Sequence, residues 1–259
     1  MLINERQELI ISLLHQHQTQ TLQQLVEATN SSESTIRRDL TELEKLRKLD
    51  RIHGGATISN SSLVEKSLHE NSIEHQEEKK KIAEIAATRI EDGDCIFIDA
   101  GSTMLQLLPL LKGKKIVVVT NGVTHLEFLH ELGITTYLVG GLLKASTQAF
   151  VGTMAVQTLQ QYHFDSAFIG VNGFSEKYGY TTADPEEASV KRQAIIQAKK
   201  TYALADYSKY HVVKFSKISN LQDITLITAG LNQAQKQNLE KYALEVLQHD
   251  IHSDVFTID

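Results

Sequence analysis

The sequence predicts an α/β chain in two parts: a short N-terminal unit of three helices ending in a small β-wing, then a larger domain on a mostly parallel sheet. Three observations predict it. Three short apolar-periodic segments crowd into the first 46 residues and are followed by an alternating stretch that turns at Gly54-Gly55. From Asp92-Gly93 onward, short apolar strands alternate with helical segments. Between the two lies the polar run Ser59-Asn60-Ser61-Ser62, which reads as a hinge. The expected boundaries are residues 1–57 for the first unit, 58–72 for a linker and 73–259 for the second domain.

A chain of 259 residues with 41% hydrophobic content can bury a real core in each part. The one cysteine, Cys95, excludes an internal disulfide and a cysteine-rich zinc site, and its apolar surroundings mark it as a core residue in a reducing compartment. Apolar runs such as Ile116 to Val119 are far too short to span a bilayer, and Met1 to Leu14 carries acids where a secretory leader would be basic. A soluble, cytoplasmic chain without a membrane partner is expected. Net charge is uninformative: the whole chain carries −6, and residues 1–57 hold seven Lys and Arg against eight acids. What matters is where those charges point.

Asn4 with Gln7, and Thr21 with Gln24, have the spacing of a capping box, which predicts two helix starts. Leu9, Ile10, Leu13 and Leu14 follow the first, and Leu22, Leu25 and Val26 the second. A third helix is expected from Ser31 or Ser32, with Ile36, Leu40, Leu43 and Leu46 as its apolar stripe. At about 100° per residue, Ser34, Arg37, Arg38, Thr41, Lys45 and Lys48 share the opposite arc, whereas Glu33, Asp39, Glu42 and Glu44 fall outside it. Such a basic and polar face suits phosphates and base edges in a major groove. A solvated face of mixed charge, or a protein-docking module, are the other readings of a helix like this. The stretch Leu49 to Ala56 favours DNA, because a wing there sets Arg51 beside a duplex backbone.

In the second domain, strands are expected at Cys95–Ile98, Ile116–Val119, Thr136–Val139, Ser166–Ile169, Tyr202–Ala205 and Ile224–Thr228. Helices fit near Met104–Leu111, Val123–Leu132, Met154–Tyr162, Glu186–Ala198 and Gln233–Leu247, after a first one carrying Ile82, Ile85, Ala86 and Ile90. Parallel sheets bind ligands at the carboxyl ends of their strands. Polar residues collect there: Asp99-Ala100-Gly101-Ser102-Thr103, Thr120-Asn121-Gly122, Gly140-Gly141, Gly170-Val171-Asn172-Gly173 and Asp206-Tyr207-Ser208-Lys209. The first of these passes from strand to helix, and its free amides and two hydroxyls suit a phosphate.

Ser34-Thr35-Ile36-Arg37-Arg38-Asp39-Leu40 followed by Arg51-Ile52-His53-Gly54-Gly55-Ala56 resembles the winged helix-turn-helix of the DeoR family of sugar-metabolism regulators. Arg47 stands where that family usually has a glycine, and Asp50 where it has an apolar residue. Asp99 to Thr103, Gly170 to Phe174, Glu187-Ala188 with Lys191-Arg192, and Asp206 with Ser208-Lys209 resemble the family's sensor domain, which is similar in fold to ribose-5-phosphate isomerase. The resemblance implies DNA contacts from Ser34, Thr35, Arg37, Arg38, Thr41, Lys45, Arg51 and His53. It also implies an effector site in which Gly101, Ser102 and Thr103 hold phosphate, and Lys191 and Lys209 supply charge. Asp99, Asn121, Asn172 and Asp206 would meet hydroxyls there, with Gly140, Gly141 and Glu187 in the same site.

The implied partners are double-stranded operator DNA and a phosphorylated sugar, and the overall likeness to fructose-operon repressors points to a fructose-type phosphate such as fructose 1-phosphate. A homodimer or homotetramer is expected, because helix-turn-helix proteins read paired half-sites. The alternative is an isomerase-like enzyme with a DNA-binding arm. Isomerisation needs a carboxylate to move a proton, and where the resembled isomerases carry acids this chain has glycine and asparagine at 170–173. Asp99 and Glu187 are the carboxylates left for that role, and no catalytic residue is assigned. No metal or cofactor is expected, since the histidines lack paired spacing and Gly-Lys-Ser/Thr is absent.

Overall fold

The computed structural model describes residues 2–17, 19–46, 48–58 and 65–248. The chain divides into two compact units, residues 1–64 and 65–259. The hinge expected at Ser59–Ser62 lies outside the described residues.

In the first unit, α1 (Ile3–His17), β1 (Thr19–Thr21), α2 (Leu22–Thr29) and α3 (Glu33–Lys45) precede the hairpin of β2 (Leu49–Ile52) and β3 (Gly55–Ile58). Thr21 caps α2 in the expected box with Gln24, and the Ser32 hydroxyl caps α3 by accepting from Thr35 N at 3.3 Å. Asn4 does not cap α1. The helix already runs at Ile3, and Glu5 reaches back to Leu2 N at 3.0 Å. Ile10, Leu14, Leu25, Ile36, Leu40, Leu43, Leu49 and Ala56 form the core, each large side chain contributing about 1.5–3 kcal/mol. Leu46 is instead 63% exposed, because α3 ends at Lys45 and the helical period no longer carries the next residue over the core.

The strand β1 was not expected from sequence. It pairs with β3 to give the order β1-β3-β2, and the two backbones approach so closely that a Cβ on Gly55 would stand 2.2 Å from Gln20 O. Asp39 is buried on the core side of α3, where Arg6 Nε of α1 donates to it at 2.5 Å. That pair locks the first helix to the third.

The second unit opens with α4 (Leu68–Ile73) and α5 (Gln76–Ala87). Residues 65–72, within the expected linker, thus belong to this unit, and Ser67 with Glu70 closes a capping box at the start of α4. There follow β4 (Cys95–Ile98), α6 (Ser102–Leu107), β5 (Val117–Thr120), α7 (His125–Glu131), β6 (Thr135–Leu138) and the hairpin β7 (Leu142–Lys144) and β8 (Ala149–Val151). The chain continues through α8 (Thr153–Leu159), β9 (Phe164–Gly170), β10 (Gly173–Ser175), β11 (Gly179–Thr182), α9 (Pro185–Gln197) and β12 (Ala198–Asp206). Last come β13 (Ser216–Ser219), β14 (Thr225–Ala229), α10 (Gln233–Leu239) and β15 (Val246–Gln248).

Seven strands form one parallel sheet in the order β15-β14-β12-β9-β4-β5-β6, with a buried apolar cluster on either face. The chain enters at β4, runs outward to β6, returns to β9 and runs outward the other way. The strand order therefore reverses between β4 and β9, the point at which an open α/β sheet leaves a crevice at its carboxyl edge. Cys95, expected in the core, is half-buried at the start of β4. The helix expected over Gln233–Leu247 stops at Leu239. The last residues pair with β14 as β15, which satisfies backbone groups that an open strand edge would leave bare. β7–β8 and the small antiparallel sheet β10-β11-β13 were not expected either.

Candidate functional site

The outer face of α3 carries Ser34, Arg37, Arg38 and Lys45 exposed and Thr35 and Thr41 half-buried. The arc is basic, but two of its cations lean onto the flanking acids. Arg37 meets Glu33 at 2.6 Å and Lys45 meets Glu42 at 3.1 Å; exposed pairs of this kind are worth at most ~1 kcal/mol and are readily exchanged for phosphate. Arg51 on β2 is held against the helix: its guanidinium donates to Thr41 Oγ1 at 3.0 Å and its backbone N–H to Glu44 at 3.0 Å. The wing thus extends the helix face. His53, exposed, sits in the turn before Gly54, whose φ of 77° requires glycine there.

In the second unit, a cleft of about 650 Å³, open mouth included, lies over the reversal of strand order. Its floor is the ends of β4, β9 and β12: Ala100 to Met104, Gly170 to Asn172, and Leu204 to Asp206. Lys191 of α9 lines the cleft and forms an ion pair with Asp99 behind the floor, their side chains 6% and 2% exposed. Asp99 also accepts from Gly170 N at 3.0 Å. Burial opposes the Lys191 charge, yet Asp99 and Glu187 outweigh it and hold the ammonium above its ordinary pKa. Glu187 accepts from Thr147 Oγ1 at 2.6 Å and from Lys144 Nζ at 3.2 Å. Burial pushes its carboxyl upward, but Lys191 and Lys144 prevail and keep it ionised.

The opposite wall is cationic. Lys66 pairs with Glu74 at 2.6 Å, and Lys79 donates to the carbonyls of Asn71 and Glu74. Burial lowers both ammonium pKa values, that of Lys79 to about 8, and the charge of Lys209 adds to each shift. Asp206 is buried beside them and accepts from Ser208 N at 2.9 Å; burial would raise its pKa, but Lys209 and Ser208 hold it down. Three lysines therefore cluster around Asp206, and Ser102 and Thr103 line the same cleft, which also carries Glu65, Glu187 and Lys191.

A model of the DeoR-like helix-turn-helix domain matches residues 6–62, and a model of the DeoR C-terminal sensor domain matches residues 74–230. The chain belongs to the DeoR family. It is a transcriptional regulator with a DNA-binding helix-turn-helix and a sensor domain. Among DeoR-type relatives it is 43% identical to the uncharacterized HTH-type transcriptional regulator FruR of Bacillus subtilis, over 96% of this chain and 100% of that protein. It is 36% identical to the HTH-type transcriptional repressor GlcR of Bacillus subtilis, over 94% and 95%. With the lactose phosphotransferase system repressor of Streptococcus mutans the identity is 34%, over 92% and 96%. Solved structures similar to it include ribose 5-phosphate isomerase A of Methanocaldococcus jannaschii, at 17% identity and a TM-score of 0.40 over 52% of this chain and 54% of that one.

Of the effector residues that the DeoR resemblance implies, Gly101, Ser102, Thr103, Asn172, Glu187, Lys191, Asp206 and Lys209 line the cleft. Asp99 stands just behind it as the partner of Lys191. Asn172 Oδ1 is already taken by the Thr182 hydroxyl. Asn121, Gly140 and Gly141 are outside the lining. Asn121 clamps the loop after β4, accepting from Ala100 N at 2.8 Å and donating to Phe150 O at 3.3 Å. Gly141 lets the chain pass the β7–β8 hairpin, where a Cβ would come within 2.5 Å of Val151 O.

Sequence reasoning missed Glu65, Lys66, Asn71, Lys79 and Thr147, all in the lining. The first three fall in the stretch read as linker, and the polar run before Ile82 was the one available signal. Among the described residues no group of three or more potential ligands could hold a metal, and no helix is long and apolar enough to cross a membrane.

Proposed function

We propose that this DeoR-family regulator is a repressor of a sugar-utilisation operon, reading double-stranded operator DNA through Ser34, Thr35, Arg37, Arg38, Thr41, Lys45, Arg51 and His53. Its control comes from a phosphorylated sugar in the sensor cleft. The observation that carries the reading is the polarity of that cleft. Ser102 and Thr103 hydroxyls and the cations of Lys66, Lys79 and Lys209 line it as donors for a phosphate, and the carboxylates of Glu65, Glu187 and Asp206 line it as acceptors for sugar hydroxyls. Relatives named as repressors support the sense of control. Asp99 and Glu187, the carboxylates left for an isomerase role, are each tied to lysine, which favours a sensor over a proton-transfer catalyst. The regulator works as a symmetric homo-oligomer, matching paired half-sites.

The test uses purified full-length protein and an operator that it selects from random-sequence DNA, followed by fluorescence anisotropy. Fructose 1-phosphate, among a panel of hexose and pentose phosphates, should release the wild type. Arg38→Ala should bind the operator about tenfold more weakly, one contact of ~1.4 kcal/mol. Ser102→Ala with Thr103→Val should bind it normally but need at least about tenfold more sugar phosphate for release. Failure to select any operator, or release by no sugar phosphate, refutes the proposal.

A further inference from the structure

Glu65 is the first described residue of the sensor unit and follows directly on the residues that join it to the DNA-reading unit. Its side chain is 9% exposed and lines the cleft. Oε2 accepts from Lys144 Nζ, an ammonium that also meets Asp184 at 2.7 Å and Glu187 at 3.2 Å. Oε1 is buried and has no hydrogen-bond donor. Three residues on, Leu68 N donates to Ser146 O at 2.8 Å, so the same segment is fastened twice to the β7–β8 hairpin.

A buried carboxyl oxygen without a donor is an uncommon and costly arrangement, and on a residue that lines a cleft a ligand hydroxyl can bring the donor once the side chain reseats. The charged groups facing Glu65 are Lys144 of β7, Asp184 before α9, Glu187 and Lys191 of α9, and Lys214 before β13. Two of these acids crowd the same ammonium. Burial, the Glu187 charge and a hydrogen bond shared with the Glu187 carboxylate push the Glu65 carboxyl up to about 7 against the pull of Lys144. The group is thus poised between forms, and a hydroxyl donated to it favours the ionised one. Inorganic phosphate alone could neutralise the lysine end but could not reach across with hydroxyls.

We propose that Glu65 is a ligand contact that couples the cleft to the DNA-reading unit: a sugar hydroxyl donates to its unpartnered oxygen, so that occupancy changes the seating of residues 65–73, which lead from the joining segment. This inference rests on the reading of the cleft as a sugar-phosphate site. The coupling is thermodynamic. A ligand biases operator binding only through a contact whose strength differs between the two states, and Glu65 supplies such a contact at the first residue of the sensor unit.

The experiment compares wild type with Glu65→Ala, titrated by calorimetry with inorganic phosphate and with fructose 1-phosphate, fructose 6-phosphate, glucose 6-phosphate and ribose 5-phosphate. Operator affinity is measured at each saturating ligand. Both proteins should bind inorganic phosphate alike, while the tightest sugar phosphate should bind the variant at least tenfold more weakly and leave its operator affinity unchanged. Hydrogen exchange on the wild type needs no variant: amides of residues 65–73 should gain protection with the sugar phosphate and not with inorganic phosphate. Wild-type sugar-phosphate affinity and operator response in Glu65→Ala overturn the inference while sparing the cleft. So does an equal loss of inorganic phosphate and sugar phosphate, which marks a structural role. Unchanged exchange at 65–73 in the liganded wild type overturns it as well, and absence of binding by every sugar phosphate to the wild type overturns the cleft reading and this inference together.

Discussion

Replacing Lys191 by Met tests whether its charge is available to a ligand or committed to the fold. The Lys191 and Asp99 side chains are 6% and 2% exposed, and without the ammonium Asp99 keeps the Gly170 N–H at 3.0 Å as its remaining hydrogen bond. Stranding a buried charge in this way costs about 3–5 kcal/mol. Protonation limits the damage: neutralising an ordinary carboxyl at pH 7 takes about three pKa units, or ~4 kcal/mol. The expected loss for Lys191→Met is therefore about 3–4 kcal/mol, a fall of roughly 10 °C in the calorimetric transition of the larger unit. Adding Asp99→Asn removes the stranded charge while keeping an acceptor for Gly170, so the double variant should recover at least half of the loss. The penalty of the single variant should also shrink as pH falls from 7 to 5, where protonating Asp99 becomes easier. A single variant within 1 kcal/mol of wild type, or a double variant no more stable than the single, would refute the reasoning. Ser102 and Thr103 are consequently the cleaner probes of the cleft.

Arg51→Ala should weaken binding to operator and to random DNA alike and lower the salt slope by about one; loss confined to one operator base pair contradicts a phosphate contact. The pH dependence of stability offers a test of Glu65. Its carboxyl is raised from 4.5 to about 7, so its contribution is fully present below pH 4.5 and is lost as pH rises through 7. His125, lowered to about 4 by burial, works in the opposite sense, its contribution being present above pH 6.5 and lost as pH falls. The stability difference between wild type and Glu65→Gln cancels the histidine, and should fall by about 2 kcal/mol between pH 5 and 8. A pH-independent difference in thermal unfolding contradicts the raised carboxyl.

Local patterns made much of this molecule legible. Thr21 with Gln24 marked the start of α2 because a capping box is completed within four residues. The face of α3 was equally readable, since helical periodicity alone sorts Arg37, Arg38 and Lys45 from Ile36, Leu40 and Leu43. The strand ends at Asp99, Gly170 and Asp206 declared themselves through polar residues following apolar runs. Other features had no local signature. The Arg6–Asp39 bond spans 33 positions, and in the sequence Asp39 is one acid among several on α3. The shortfall of the expected C-terminal helix has the same origin: the spacing of Leu239, Ala243 and Leu247 fits a helix, and the open edge of β14 decides for a strand.

The sequence by itself determined which residue types stand at the carboxyl ends of the strands and on the outer face of the third helix, because both follow from the period of a single element. Only the tertiary structure decided which of them share a site. The order β9-β4 at the centre of the sheet brings Ser102, Asn172 and Asp206 to one cleft and leaves Asn121 and Gly141 as supports of its neighbouring loops. It also folds Glu65 and Lys79 into the cleft wall, and turns Lys191 inward to Asp99 across 92 positions. The physical reason is that strand order and the pairing of buried charges are long-range choices. They are made by packing and desolvation among distant segments, and leave no periodic trace in any one of them.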